Sequence, residues 1–303
     1  MKILLAVSGG IDSVVLLNLL VKKKLAKFTG KEIPKIEKIV VASFNHAIHT
    51  KADAHEKFVR QLAGKYDLEF FSEKARKNLA SEAQARDARY AFLEKIMKRE
   101  RCDLVALAHH AGDQIETILL NLIRGSGMQG LSGMQEISGN KWRPLLQISK
   151  SKIENYAKRN HLKFVKDPTN LELKYSRNFL RKEILPKLEA LNPKFEVALV
   201  RTSKIARENM DLISMLAKEW LRRFAKVKSV ELTEFASLPV ALKREVIREI
   251  YLAEIGDLQK IEEKHLAEIV ELSQNLSGNK QKKFGKLVFK TAKRGGVRVL
   301  EWR

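Results

Sequence analysis

Apolar runs alternate with segments of helical spacing through the first half of the chain. Four largely apolar runs have the length of buried strands, at 2–7, 38–44, 68–72 and 103–108. Segments with helical periodicity lie near 12–25, 51–65, 81–101 and 113–124. Strands with few polar positions are expected where helices cover both faces of a sheet. The repeated strand–helix order therefore predicts an α/β fold with a doubly wound parallel sheet, completed by a strand at 142–146 and a helix at about 149–160.

The second part of the chain has mainly helical patterns. After Pro193 a segment without glycine or proline runs to about residue 226, and helical patterns near 239–254 and 258–274 precede a short β-rich tail. We therefore predict two domains, an α/β catalytic domain at 1–210 and a smaller, mostly helical C-terminal domain at 211–303 that ends in short strands. The boundary is expected within the long helix.

Positive charge is in large excess. The 303 residues include 58 Lys and Arg against 36 Asp and Glu, a net charge of +22. Lysine-rich surfaces of heat-stable proteins are normally balanced by glutamate, so heat stability does not account for the excess. A nucleic acid is the usual partner of such a surface. Residues 201–275 are balanced, with 13 basic and 13 acidic residues, whereas 276–303 hold nine basic residues and one acid. The tail is therefore predicted to be the basic element of the second domain.

Several classes of protein are disfavoured by composition. Cys102 is the single cysteine, so neither an intramolecular disulfide nor a CxxC metal or redox pair can form. The longest apolar runs, such as 104–108 and 118–120, are too short to span a bilayer. The apolar start of the chain stops at Ser8 without a cleavage pattern and is interpreted as a first core strand. We expect a cytoplasmic protein that does not bind a membrane.

A glycine-containing loop joins the first strand to the first helix, with the sequence Ser8-Gly9-Gly10-Ile11-Asp12-Ser13. Two glycines let the backbone approach a ligand closely, and the following helix offers free N–H groups to a phosphate. The serine hydroxyls add donors, and Asp12 is a candidate Mg²⁺ ligand. The alternative is an ordinary tight turn with Asp12 as a helix cap. The loop is neither a Walker loop nor a Rossmann GxGxxG loop.

A second motif, His109–Thr117, follows the run 103–108. If that strand neighbours the first one, the motif faces the glycine loop at the ligand-binding edge of the sheet. Asp113 and Glu116 are three residues apart and share a helix face. Such a pair can coordinate Mg²⁺, bind an ammonium group or form a helix capping box, and spacing leaves these open. A zinc site is disfavoured because consecutive histidines point apart and no further ligand cluster accompanies them.

These motifs resemble two nested families. The Ser8–Ser13 loop resembles the SGGxDS loop of the PP-loop ATP pyrophosphatases, which split ATP between its α and β phosphates. The His109–Thr117 motif, with Arg124-Gly125-Ser126-Gly127, resembles the signature of tRNA(Ile)-lysidine synthetases. Further matches follow in the family's order over about residues 3 to 190: Glu82-x-x-Ala85-Arg86-x-x-Arg89-Tyr90, Arg143-Pro144-Leu145-Leu146, Asp167-Pro168-Thr169-Asn170, Arg177-Asn178-x-x-Arg181 and Ile184-Leu185-Pro186. One departure is Asn45-His46-Ala47-Ile48-His49, where the family has aspartate at the first position and arginine at the last, so neither role is carried over.

The resemblance implies a ligase that uses ATP and Mg²⁺. It would adenylate C2 of the wobble cytidine, position 34, of a tRNA(Ile) with anticodon CAU. Free L-lysine would then displace AMP, and the lysidine formed would change codon recognition from AUG to AUA. By the same resemblance, ATP would be bound by Ser8, Gly9, Gly10, Ile11, Asp12, Ser13 and His109, and Mg²⁺ by Asp12. Lysine would be bound by Asp113, Glu116 and Arg86, and tRNA by Arg177 and Arg181. The residues expected to take part in catalysis are Asp12, Asp113, Glu116 and Arg89. Lys280, Lys282 and Lys283 of the basic tail are added to the predicted tRNA contacts.

Purely structural roles are the alternative for several of these residues, and other functions are possible for the chain as a whole. Arg86 and Arg89 could lie on a solvated helix face, and Arg177 and Arg181 could form surface ion pairs. Sulfur-transferring PP-loop enzymes use paired cysteines, which are missing here. GMP and NAD synthetases match the loop but neither the charge nor the His109 motif. A non-catalytic RNA-binding module is disfavoured by the intact phosphate loop.

Overall fold

The computed structural model describes residues 1–45, 52–75, 82–165, 176–225, 227–256, 261–274 and 280–303. These residues form two compact units. The first unit contains 1–123 and 133–200, and the second contains 124–132 and 201–303. A short segment from the first half of the chain thus belongs to the second unit. The functional division at residue 210 stays a prediction.

The first unit is built on a six-stranded sheet with the order β3-β2-β1-β4-β6-β5. Its strands are β1 (Lys2–Ala6), β2 (Lys38–Asn45), β3 (Glu69–Lys74), β4 (Leu104–Ala106), β5 (Ile137–Ser138) and β6 (Lys141–Trp142). All neighbouring strands are parallel except β5, which runs antiparallel to β6. The predicted doubly wound sheet is confirmed. The strand predicted at 142–146 is shorter, because Pro144 has no N–H to donate and the chain turns away, with the Leu146 N–H bonded to the Arg143 carbonyl at 3.1 Å.

Helices cover both faces of this sheet. They are α1 (Ile11–Val21), α2 (Leu25–Thr29), α3 (Ala52–Lys65), α4 (Glu82–Arg99), α5 (Ala111–Ile123) and α7 (Lys150–Arg159). Ile3 and Leu5 of β1 pack into a core with α1, α3 and α7, whereas Leu4 packs with α4, because successive strand residues point to opposite faces. The helix predicted at 12–25 is divided in two, since Lys23 adopts a left-handed conformation with φ 53° that ends α1.

An irregular helical segment closes the first unit. It comprises α8 (Ser176–Phe179), a π-helical turn (Leu180–Ile184) and α9 (Leu185–Leu191). Pro186 lacks the N–H that would continue regular α-helical bonding, which favours a local change of helix type. Leu180 and Leu185 are buried against Ile115 and Leu119 of α5. The π-helical turn is therefore held beside the start of α5.

The second unit combines helices with a four-stranded antiparallel sheet of order β7-β10-β9-β8. Its elements are α6 (Gly127–Leu131), α10 (Phe195–Phe224), which starts in the first unit, α11 (Leu232–Ser237), α12 (Val240–Ile255), α13 (Glu263–Gln274), β7 (Ser229–Glu231), β8 (Gln281–Phe284), β9 (Leu287–Arg294) and β10 (Val297–Trp302). Phe235, Tyr251 and Phe289 lie in its core. The predicted β-rich tail is confirmed, and β7 is an edge strand that the sequence patterns did not indicate. Within the described residues, no helix is long and apolar enough to cross a membrane.

Candidate active site

The predicted ligand edge of the sheet lies where β1 and β4 end. β1 pairs in parallel with β4 on one side, Leu5 opposite Ala106, and with β2 on the other. The strand order reverses between β1 and β4, and such a switch point opens a crevice at the carboxyl ends of the strands. The glycine loop and the His109 motif therefore start side by side, as predicted.

The glycine loop is a tight, internally bonded turn. Gly9 has φ 87°, a left-handed conformation that favours glycine, and a Cβ there would lie 3.4 Å from Val59. The Ser13 hydroxyl donates to the Gly10 carbonyl at 2.9 Å and accepts from the Ser8 N–H at 3.3 Å. Gly10 is the N-cap of α1, and no side chain caps this helix. The alternative of Asp12 as a simple helix cap is therefore wrong, and the helix N-terminus is left open toward the crevice.

Asp12 has a partner that the sequence did not suggest. Its Oδ1 lies 2.6 Å from Nζ of Lys150, the first residue of α7. Both side chains are partly exposed, with 28% of Asp12 and 40% of Lys150 accessible. A carboxylate oxygen is a suitable Mg²⁺ ligand, and an ammonium group beside a phosphate loop is a suitable phosphate ligand. The pair therefore supplies a metal ligand and a positive charge, the two kinds of group that a bound nucleoside triphosphate requires.

The start of α5 is capped by His110 and Asp113. The Gly112 N–H donates to Nδ1 of His110 at 3.0 Å, and the His110 N–H donates to Oδ2 of Asp113 at 2.9 Å. A Cβ on Gly112 would come within 2.8 Å of the His110 ring, which explains the glycine in this motif. Asp113 is thus part of a reciprocal cap with His110, and the capping box suggested between Asp113 and Glu116 is wrong.

Glu116 is buried deep in the site, with 1% of its surface accessible. Its Oε1 accepts from Nε of Arg181 at 2.8 Å and lies 2.6 Å from Nη2 of the same side chain. Arg181 Nη2 also lies 3.9 Å from Oδ1 of Asp113. Burial raises the pKa of Glu116, and the neighbouring Arg181 opposes this rise. Oε2 of Glu116 is buried and has no hydrogen-bond partner among the described residues.

The predicted RNA contact Arg181 is therefore engaged with the two carboxylates of α5. Arg177 is half-buried one turn earlier, and its charge acts on both His109 and Glu116. Both arginines thus belong to the surroundings of the candidate site rather than to a remote ion pair. Whether either contacts RNA stays a prediction.

His109 is flanked by positive charge. Burial, and after it the charges of Arg143, Arg89, Arg86 and Arg177, hold the pKa of His109 well below its usual value. The imidazole is therefore neutral at physiological pH, and its Nδ1 is buried without a hydrogen-bond partner in the described part of the chain. A neutral imidazole can donate or accept a hydrogen bond, as nucleotide binding would require.

The structure adds a role for Gln114 of the motif. Its side-chain amide donates to the Met134 carbonyl at 3.1 Å, and its carbonyl oxygen accepts from the Met134 N–H at 2.8 Å. Asn45, at the position where the family has aspartate, is buried and donates to Asp53 Oδ1 at 2.8 Å. The other departure, His49, and the motif at 167–170 lie outside the described residues.

The three tail lysines do not share one face of their sheet. Lys282 pairs in register with the buried Phe289 and lies 3.2 Å from Glu268 of α13. Lys283 is the next residue along β8 and points to the opposite face. Lys280 precedes the strand and is exposed. Among the described residues, no group of three or more His, Cys, Asp or Glu side chains is placed to hold a metal ion.

Comparison with known proteins identifies the first unit and its relatives. Residues 1–188 match the family model of the PP-loop domain. The tRNA(Ile)-lysidine synthase of Geobacter sulfurreducens is 35% identical over 91% of this chain and 60% of its own length. The enzymes of the same name from Pseudothermotoga lettingae and Thermosipho africanus are 38% and 40% identical, over 73% and 66% of this chain and 49% and 47% of their own lengths. The chain thus spans about half to three fifths of the length of these curated relatives.

A solved structure shares the fold. The U34-tRNA thiolase NcsA from Methanococcus maripaludis, determined with its [4Fe-4S] cluster, superposes with a TM-score of 0.54 at 20% identity. The likeness covers 68% of this chain and 72% of the thiolase. At this identity it supports the architecture of the sheet and its helices, and no more.

Proposed function

The chain belongs to the PP-loop domain family, and we propose that it is an ATP-dependent ligase that attaches lysine to the wobble cytidine of a tRNA(Ile) with anticodon CAU. The curated relatives that support this proposal carry the name tRNA(Ile)-lysidine synthase and align with up to 91% of the chain. The net charge of +22 supports an RNA substrate.

One observation carries the choice of a cationic second substrate. Asp113 and the buried Glu116 stand at the start of the helix that follows β4, beside the phosphate loop. Arg181 contacts one oxygen of Glu116, while the other oxygen is buried without a partner among the described residues. A buried carboxylate oxygen without a donor is costly, so the site favours a ligand that supplies one. Among the groups in contact, the two carboxylates and the Arg181 guanidinium leave one net negative charge, which a single ammonium group of lysine would balance. Arg177 acts on Glu116 more weakly than Arg181 does.

The remaining residues serve the nucleotide. The loop from Ser8 to Ser13 and the open N-terminus of α1 would bind the phosphates of ATP, and Lys150 would add a positive charge to them. Asp12 would hold Mg²⁺, which when bound neutralises phosphate charge and so favours departure of pyrophosphate. The neutral His109 would lie at the side of the nucleotide.

The proposed reaction has two steps. The oxygen on C2 of the cytidine attacks the α-phosphate of ATP, and pyrophosphate leaves. The lysine amine then attacks C2, the C2–O bond breaks, and AMP leaves together with a proton from the amine. Asp113 and Glu116 would orient lysine for this attack, and Arg86 or Arg89 would contact an anionic group of one of the two substrates. Orienting two substrates in one crevice can lower the barrier by several kcal/mol.

Sulfur transfer is the competing chemistry within the same fold. It is disfavoured because Cys102 is the only cysteine of the chain, is buried, and precedes β4 at the edge of the sheet opposite the candidate site. Burial also raises the pKa of the Cys102 thiol, which lowers its nucleophilicity at neutral pH.

The test is incubation of the protein with total tRNA, ATP and each radiolabelled amino acid in turn. We expect lysine alone to enter RNA, with AMP released in equal amount, and digestion of the RNA to place the label on a cytidine. The Glu116→Gln variant is the control for the active site. Incorporation of another amino acid, or AMP formation that does not need RNA, would show that the proposal is wrong.

A further inference from the structure

A group of positive side chains surrounds one tyrosine beside the candidate site. We call the group the Tyr90 cation cluster; its members are Arg86 and Arg89 of α4, Lys141 of β6, Arg143 directly after β6, and Tyr90 itself. The guanidinium carbons of Arg86 and Arg89 lie 5.2 Å and 5.3 Å from the centre of the Tyr90 ring. Nζ of Lys141 lies 4.7 Å from it. Three cations on one ring make the cluster an unusual concentration of positive charge.

The innermost cation is almost fully buried. Arg143 is 6% exposed and donates one hydrogen bond, from Nη1 to the Gln135 carbonyl at 2.8 Å. Its Nε, like that of Arg89, is buried with no hydrogen-bond partner in the part of the chain that the structure describes. The Tyr90 hydroxyl lies near both guanidinium groups, although neither contact has the geometry of a good hydrogen bond. Donors are therefore present without acceptors.

No carboxylate balances these charges within the described residues. Burial lowers the pKa of both Arg89 and Arg143, as expected for cations that lack a counter-ion. Burial raises the pKa of Tyr90, yet the surrounding cations lower it further than burial raises it. Glu94, which feels the charge of Lys141, is exposed and pairs with Lys98 at 2.7 Å. The cation–π contacts with Tyr90 offset only part of the cost of gathering these charges.

An anionic ligand is the simplest partner for such a cluster. It would supply the missing acceptors and cancel the mutual repulsion of the cations. Arg143 directly follows β6, which is paired with β4, and the charges of the three cluster arginines act on His109 at the end of β4. The anion would thus bind at the ligand edge of the sheet, on the side of β4 away from β1.

We infer that the Tyr90 cation cluster binds a backbone phosphate of the RNA next to the nucleotide being modified. This inference rests on the proposed function. An enzyme that acts on a base draws that nucleotide into its pocket, so the adjoining phosphate follows to the mouth of the site. Exposure decreases from Arg86, which is exposed, to Arg143, which is buried, as expected for side chains that line the entrance of a pocket. The guanidinium fork suits a phosphate, and cations already occupy the Tyr90 ring, so charge rather than base stacking is recognised.

The carboxylate of the amino acid is the competing occupant. It carries one negative charge, as a phosphodiester does, so charge alone does not separate the two. The spread of the cluster favours the RNA strand. Its cations extend from the buried Arg143 to the exposed Arg86, and an RNA strand carries a phosphate at every nucleotide, whereas an amino acid has one carboxylate. The experiment must therefore measure RNA and amino acid separately.

The experiment measures binding of the CAU anticodon stem-loop RNA to the full chain as a function of salt. The variants are Lys141→Gln and Arg86→Gln, each of which removes one charge from the less buried part of the cluster. The matched control is Lys98→Gln, which removes one charge from an exposed position of α4 outside the cluster. Thermal unfolding of all four proteins establishes that each variant is folded, and lysine KM and ATP affinity are measured alongside.

A neutral RNA linkage gives the second arm of the test. The same hairpin is made with an uncharged methylphosphonate on the 5′ or on the 3′ side of the wobble cytidine. We expect Lys141→Gln to weaken binding of the native hairpin about tenfold and to reduce the salt slope by about 0.7. One of the two neutral linkages should weaken RNA binding by the native protein to a similar extent. The same linkage should not weaken RNA binding by Lys141→Gln any further, which is the signature of a direct contact. Lys98→Gln should stay within about twofold of the native protein.

The other possible results separate a failure of this inference from a failure of the proposed function. If both cluster variants bind the hairpin with the affinity and salt slope of the native protein, the phosphate does not bind at this site. A lysine KM raised about tenfold with native RNA affinity would assign the cluster to the amino-acid carboxylate. If the hairpin results hold but no lysidine forms, the phosphate site stands and the proposed function fails. If lysidine forms but the neutral linkages have no effect, the function stands and this inference fails.

Discussion

The guanidinium of Arg181 contacts a single oxygen of Glu116 through two nitrogens, Nε at 2.8 Å and Nη2 at 2.6 Å. Arg181 lies in the π-helical turn, and Glu116 lies in the second turn of α5. Because both contacts use Oε1, the buried Oε2 keeps its acceptor capacity. A structural ion pair would gain most by engaging both oxygens, so this geometry is better suited to sharing Glu116 with a ligand.

Removal of negative charge from α5 should impair lysine use. We expect Glu116→Gln and Asp113→Asn each to raise the lysine KM about tenfold or more, because a charged hydrogen bond contributes about 1.5–3 kcal/mol. The amide oxygen introduced by Asp113→Asn can still accept from the His110 N–H, so the helix cap survives. Steady-state kinetics with ATP affinity as the control measures this. A native lysine KM with a lower melting temperature would instead assign both residues to folding alone.

The glycine loop is tested by Gly9→Val. The left-handed φ of 87° and the proximity of Val59 would force the loop to shift, so ATP binding should fall below detection by calorimetry. Gly30→Val is the matched control, since Gly30 has φ 74° and nothing within 4 Å of its added Cβ. Both variants should lose about 1–2 kcal/mol of stability from backbone strain. Equal ATP affinity in the two variants would show that the loop does not bind phosphate.

Lys150 is predicted to contact the phosphates. Lys150→Gln should weaken ATP binding about tenfold through loss of one charged contact, while the melting temperature changes little, because a partly exposed ion pair contributes about 1 kcal/mol or less. The control is Lys152→Gln, whose ammonium lies 5.0 Å from the Phe28 ring instead of at the loop. Native ATP affinity and native AMP formation in Lys150→Gln would leave the contact with Asp12 as its only role.

The lowered pKa of His109 should make stability depend on pH. Its folded-state pKa is lowered well below 6.5, so below that pH the unfolded chain binds a proton that the folded protein excludes. Its contribution to stability is full above pH 6.5 and declines as pH falls toward the folded-state value. His109→Gln should therefore flatten the loss of stability between about pH 6.5 and 5, measured by denaturant unfolding. Parallel curves for the two proteins would refute the assignment.

The tail lysines should differ in their contribution to tRNA binding. Replacing Lys280, Lys282 and Lys283 together by alanine should reduce the salt slope by about two to three units. Since Lys282 lies 3.2 Å from Glu268 and Lys283 points to the opposite face, Lys283→Ala alone should have a larger effect than Lys282→Ala. ATP and lysine binding should not change. A native salt slope in the triple variant would move the RNA site away from the tail, to the face of Arg177 and Arg181.

Local patterns of the sequence determined the sheet, the glycine loop and the shared helix face of Asp113 and Glu116. Each depends on residues close in the chain: an apolar run makes a buried strand, two glycines permit the turn, and a spacing of three places side chains on one helix face. Ordered motifs extended this to the family. The strands of the tail were predicted for the same reason, while β7, with three residues, was too short to leave a pattern.

Contacts between distant residues were decided only by the tertiary structure. Lys150 meets Asp12 across 138 residues and Arg181 meets Glu116 across 65. No local pattern indicated Lys150, and the motif that singled out Arg181 assigned it to RNA and not to Glu116. The π-helical turn that directs Arg181, and the pairing of β6 with β4 that brings Arg143 toward Tyr90, depend on packing. Spacing along the chain fixes neighbours within one helix or strand, whereas the sheet order fixes which loops meet at its edge.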